Sequence, residues 1–147
     1  MTENKSEQPL KLPLASLVKR RNATILIVED DKFFRDMLSR KLQEEGYSTI
    51  EAVTGDEGLN LIKEKKPALV LLDITLPGGI DGFELLKRME ENKASSHIPV
   101  LVLSNFGGDE ERDRAQNLGA KDFYIKAHTT PNEIVEKIKE TIQKSYL

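Results

Sequence analysis

The chain has 147 residues, 38% of them apolar and none of them cysteine, which fits one domain with a single core and excludes disulfide frameworks and thiol chemistry. Residues 1–23 carry five basic and two acidic side chains, leaving 17 basic and 23 acidic over 24–147. This acidic body has no electrostatic footprint for nucleic acid. The longest apolar run is far short of a membrane span and the N-terminus lacks a signal-type apolar stretch, so a cytoplasmic protein without a membrane partner is expected.

In chain order, residues 1–22 are expected to form a flexible N-terminal extension before a domain over 23–147. Leu10, Leu12, Leu14, Leu17 and Val18, followed by Lys19-Arg20-Arg21, admit a short docking element; the plainer account is a solvated tail. Strand-like runs begin near Thr24, Ser48, Ala68, Pro99 and Lys121, and every gap between them has room for a helix. The first helix would place Phe34, Met37, Leu38 and Leu42 on one face, the last Ile134, Val135, Ile138, Thr141 and Ile142, at steps of three and four. Thr54-Gly55-Asp56-Glu57 and Thr130-Pro131-Asn132-Glu133 have the form of capping boxes, the second with proline at the first helical position. Residues 68–72 and 100–103 are apolar throughout, as strands covered on both faces should be, whereas 48–53 mixes polar and apolar residues and suits an edge. Right-handed crossovers then predict an α/β fold, a flavodoxin-like doubly wound sheet of five parallel strands in the order 2-1-3-4-5, with five helices.

Four of these runs end on residues that phosphoryl transfer can use: Glu29-Asp30-Asp31, Asp73, Ser104 and Lys126. The carboxyl ends of parallel strands share one rim, so these side chains would form an acidic pocket flanked by a hydroxyl and an ammonium. Such a pocket suits a hard cation and a phosphoryl group. Taken singly, each residue has a plainer account: helix capping for the three acids, a turn before Pro77-Gly78-Gly79 for Asp73, a strand-end serine, a solvated lysine. Their order along the chain argues against those accounts together. His97 and His128 have no partners at a metal or triad spacing and read as surface or loop residues.

Ile25 to Asp31, Leu72-Asp73-Ile74-Thr75-Leu76-Pro77 with Asp81-Gly82, Leu103-Ser104 and Gly119 to Lys126 together resemble the receiver domain of two-component response regulators, over roughly 24–144. The resemblance implies Asp73 as phosphoacceptor, and Mg2+, replaceable by Mn2+, held by Asp30, Asp73 and the Thr75 carbonyl, with Glu29 acting through water. It implies that Lys126 and Ser104 contact the phosphoryl oxygens and that Ser104 and Phe123 act as a switch; for Phe123 the plain alternative is a core aromatic. Tyr124 should face the opposite side of the sheet. The implied donor is a sensor histidine kinase or histidine phosphotransfer protein, and the output partner would bind at the face of the fourth helix, fifth strand and fifth helix. The implied protein is a monomer or a weak phosphorylation-dependent dimer, and catalyses only its own phosphorylation and dephosphorylation. The chain stops at the end of the last helix, so it resembles a stand-alone receiver; a truncated regulator would look the same. Thr75 and Phe106 occupy places that tune phosphoryl lifetime in the family.

The chain departs from the family pattern in four places. Ala127 follows Lys126 where proline is usual, so a cis bond there would cost about 2.5–4 kcal/mol; otherwise the bond is trans and the loop takes another path. The loop after Asp73 is one residue longer through Gly78-Gly79, Glu29 stands for the commoner Asp, and Ser104 for the commoner Thr. Among other classes, a haloacid-dehalogenase-type phosphatase needs an acid at position 75, which is Thr. A flavodoxin-type flavin carrier needs a hydroxyl- and glycine-rich loop where this chain has three acids. The remaining alternative is a receiver-like interaction module that works without phosphorylation.

Overall fold

A computed structural model describes residues 23–146. The expectations for residues 1–22, whether flexible extension or docking element, lie outside the described residues. Five strands, β1 (Thr24–Val28), β2 (Ser48–Ala52), β3 (Leu69–Asp73), β4 (Val100–Ser104) and β5 (Asp122–Ile125), alternate with five helices. The helices are α1 (Lys32–Glu44), α2 (Gly55–Lys65), α3 (Gly82–Glu91), α4 (Asp109–Asn117) and α5 (Pro131–Tyr146). All strand pairs are parallel, in the order β2-β1-β3-β4-β5, as the alternation predicts.

The period-two pattern of the strands builds two cores, one on each side of the sheet. Leu26, Val28, Val70, Leu72, Val100, Val102 and Phe123 pack under α2, α3 and α4. Ile25, Ile27, Leu69, Leu71, Leu101 and Leu103 pack under α1 and α5, where Tyr124 joins them. Phe123 and Tyr124 therefore face opposite sides, as expected. Each fully buried Leu or Ile contributes about 1.5–3 kcal/mol, so β3 and β4, buried at every position, anchor the sheet. β2 is largely uncovered and forms the polar edge.

Helix starts follow local chemistry. Thr130 and Glu133 exchange both bonds of a capping box, 3.1 and 2.8 Å. Thr54 caps Glu57 N–H at 3.1 Å, but the Glu57 carboxylate accepts from Val53 N–H rather than from Thr54, so that box is displaced by one residue. α4 buries only Ala115, in keeping with its charged sequence. The added turn after β3 uses Gly78 at φ +92°, a conformation side chains resist. A Cβ at Gly82 would lie 2.7 Å from the Asp73 carbonyl oxygen, so glycine lets α3 start hard against the end of β3.

Candidate acidic site at the strand ends

The carboxyl ends of β1, β3, β4 and β5 place Glu29, Asp73, Ser104 and Lys126 on one rim. Asp31 caps α1 by accepting from Phe34 N–H at 3.2 Å, which turns the chain sharply after Val28 and leaves Glu29 and Asp30 at the rim. Carboxylate oxygens of Glu29, Asp30 and Asp73 all lie within 4.8 Å of one another. Glu29 and Asp73 are buried and Asp30 is open to solvent. An all-oxygen, triply acidic donor set with one open side fits a hard divalent cation that retains water ligands.

Lys126 reaches this cluster from the end of β5. Its Nζ donates to Glu29 Oε1 at 2.5 Å and to Asp73 Oδ2 at 3.1 Å, with the side chains of all three almost sealed from solvent. The ammonium also stands 4.7 Å from the centre of the Phe34 ring, a favourable cation–π placement. Burial lowers the Lys126 pKa, but the bond to Glu29 and the charges of Asp73 and Glu29 outweigh it and leave the pKa raised. Burial is also the largest influence on Glu29, and it pushes the carboxyl up to about 7 despite bonds from Lys126 and the Asp31 N–H; the Asp73 charge adds to the rise.

Both Asp73 oxygens are engaged, Oδ2 by Lys126 and Oδ1 by Thr75 N–H at 3.0 Å. Thr75 itself is exposed. Ser104 is buried at the end of β4, and its hydroxyl donates to the Phe106 carbonyl at 2.6 Å. Phe123 is buried beside the loop that follows Ser104. The peptide bond after Lys126 is trans, as are all described bonds, and the chain passes through a short 3-10 turn, Lys126–His128. His97 and His128 are exposed. No described helix is long and apolar enough to cross a membrane.

Two further side chains touch the site without a site signature in the sequence. Phe34 has the pattern of an apolar helix position, and its signal is an aromatic one turn past an acidic strand end. Arg112 donates to the Phe123 carbonyl at 3.0 Å, with its guanidinium carbon 5.3 Å from the ring centre, and a mostly charged helix gave no sign of it.

A five-stranded doubly wound sheet with three acids and a lysine converging on its carboxyl rim defines a parallel α/β domain whose candidate site lies at the strand ends. The profile of the response regulator receiver domain matches residues 25–139, and the chain belongs to that family, whose setting is two-component signalling. It is 36% identical over 120 residues to the phosphate regulon transcriptional regulatory protein PhoB of Escherichia coli strain K12, covering 82% of this chain and 52% of that protein. It is 32% identical over 123 residues to sporulation initiation phosphotransferase F of Bacillus subtilis strain 168, covering 84% and 93%. The CheY-like receiver domain structure from Methanospirillum hungatei JF-1 superposes with a TM-score of 0.78 at 31% identity, over 84% of this chain and 96% of that one. The chain spans about half the length of the PhoB proteins it matches.

Proposed function

We propose that this domain accepts a phosphoryl group on Asp73 from a histidine kinase or histidine phosphotransfer protein and changes its partner-binding face in response. The observation that carries the reading is the Lys126 ammonium bridging Asp73 and Glu29 beside Asp30, a buried lysine poised among oxygen donors. An Asp73 oxygen would attack phosphorus as the nitrogen–phosphorus bond of the donor phosphohistidine breaks, the imidazole leaving with the electron pair and taking a proton. Water attacking the acyl phosphate would later release inorganic phosphate and restore the carboxylate.

Asp30, Asp73 and the Thr75 carbonyl would hold Mg2+, or Mn2+ in its place, with Glu29 acting through water. A bound divalent cation supplies charge neutralisation for the phosphoryl oxygens. Lys126 can donate to one of those oxygens, since Glu29 and Asp73 occupy only two of its three protons. Ser104 would exchange its bond to the Phe106 carbonyl for one to another phosphoryl oxygen, drawing in the loop that borders α4 and Phe123. The face of α4, β5 and α5 is the proposed output surface. Exposed Phe33, Val53 and Phe106, all on segments at the site's rim, offer apolar contact to a donor protein.

Incubation with acetyl phosphate or phosphoramidate, with and without magnesium, followed by intact-mass analysis tests the reading. A single added phosphoryl group that needs both magnesium and Asp73, the latter judged by Asp73→Asn, is expected. A folded protein that gains no phosphoryl group would point to a phosphorylation-independent interaction module.

A further inference from the structure

β1 leaves the sheet at Glu29. The Glu29 N–H still pairs with β2, donating to the Ala52 carbonyl at 2.9 Å, and a backbone carbonyl at such an exit needs another partner. Arg35, in the first turn of α1, supplies it: Nη1 donates to the Glu29 carbonyl at 2.9 Å, while Nε donates to Glu51 Oε1 on β2 at 3.0 Å. The Arg35 side chain is 11% exposed. Its own N–H donates to the Asp31 carbonyl at 2.9 Å, so the guanidinium folds back over the loop from which α1 begins.

We propose that Arg35 is a positioning residue for a divalent cation at the acidic cluster, holding the Glu29 carbonyl against Glu51 and so fixing the peptide that joins Glu29 to Asp30. This rests on reading that cluster as a cation site. Glu29 and Asp30 are consecutive, and their side chains can meet one ion only while the peptide between them keeps its orientation. The Glu29 N–H fixes one side of that turn and Arg35 the other. The planar fork of arginine suits this task, because one rigid group bonds two acceptors, the Glu29 carbonyl just past β1 and the Glu51 carboxylate on β2; a lysine in its place is a point charge without the fork.

Charge alone predicts the opposite of positioning. A guanidinium near the cluster repels a second cation, so removing it without structural consequence would tighten cation binding. Positioning predicts weaker binding, since partners that orient metal ligands typically change affinity by about 10–100-fold when lost.

Isothermal titration of Mg2+ into the full chain, with circular dichroism to confirm folding, separates the two. Arg35→Ala is expected to weaken the Mg2+ dissociation constant about tenfold or more, and Arg35→Lys, which keeps the charge but loses the fork, several-fold. Arg35→Ala binding Mg2+ as tightly as the parent or more tightly would overturn the proposal, as would Arg35→Lys matching the parent. If Arg35→Ala does not fold, Arg35→Lys alone decides. A parent chain that fails to bind Mg2+ defeats the cation-site reading itself, and the Arg35 proposal with it; loss confined to the variants' thermal stability, with Mg2+ affinity intact, defeats the Arg35 proposal alone.

Discussion

The Phe123 ring rests directly on Gly107: a Cβ at position 107 would lie 2.8 Å from two of the ring carbons, Cε1 and Cζ. The glycine is needed here for space, because the ring is held in a closely packed interior. Gly107→Ala is expected to force the ring or the β4–α4 loop aside at a cost of about 1–3 kcal/mol. Urea unfolding of Gly107→Ala, Phe123→Leu and the double variant checks this. The smaller leucine relieves the clash, so the double variant should cost less than the two single changes combined. Additivity within about 0.3–0.5 kcal/mol would show that the residues are not coupled.

Arg112 is expected to hold α4 to the sheet through its bond to the Phe123 carbonyl. The helix buries one residue, Ala115, and an open groove of about 1080 Å³ is lined by α3 and α4; besides Arg112, the ties of α4 include Arg114, whose guanidinium carbon lies 4.0 Å from the centre of the Phe83 ring on α3. Arg112→Ala should speed amide exchange in α4 by several-fold, equivalent to losing about 1 kcal/mol of local protection, while β3 and β4 keep their rates. Hydrogen exchange read by mass spectrometry distinguishes this from a global loss, in which the strands would accelerate equally.

The convergence of Glu29, Asp30, Asp73, Ser104 and Lys126 was legible because each ends a strand-like run, and parallel order alone sends such positions to one rim. Side-chain partners across that rim were less so. Lys126 read as a ligand for phosphoryl oxygens, and its 2.5 Å bond to Glu29, 97 residues away in sequence, follows only from the adjacency of strand ends in space. The same limit hid the polar contact joining α1 to the edge strand, where Ser39 and Thr49 hydroxyls lie 2.6 Å apart and Gln43 donates to both. Periodicity locates the face of a helix; it does not say which hydroxyl or carbonyl a long side chain meets there. Thr49 read simply as a polar edge residue for that reason.

Magnesium is expected to stabilise the fold through the same acids. An ion that binds only the folded chain adds about 2.7 kcal/mol at a concentration 100 times its dissociation constant, and the unfolded chain does not bring Glu29, Asp30 and Asp73 together. Urea unfolding with magnesium and with EDTA measures the gain. Asp73→Asn should lose most of that gain; its EDTA midpoint is the baseline for the comparison, because the substitution removes both a charge facing Glu29 and a carboxylate oxygen that accepts from Lys126. An equal magnesium gain in the variant would place the ion elsewhere.

Glu29 gives the metal-free protein a distinctive dependence on pH. Burial raises its carboxyl from the ordinary 4.5 to about 7 in the folded state, so between these values the folded chain binds more protons than the unfolded one. Stability from this group is therefore fully present below about pH 4.5 and is lost as pH rises through about 7. At 1.36 kcal/mol per pH unit the loss is on the order of 3 kcal/mol. Other groups titrate across the same range, so the informative quantity is the difference between the parent and Glu29→Gln, each unfolded by urea in EDTA from pH 4.5 to 8. That difference should shift in favour of the glutamine variant as pH rises, because the amide keeps the size of the side chain and carries no charge to bury. Saturating magnesium favours the ionised carboxylate and should oppose the trend. A difference that stays flat from pH 4.5 to 8 would mean that Glu29 is already ionised throughout, its charge matched by the Lys126 ammonium.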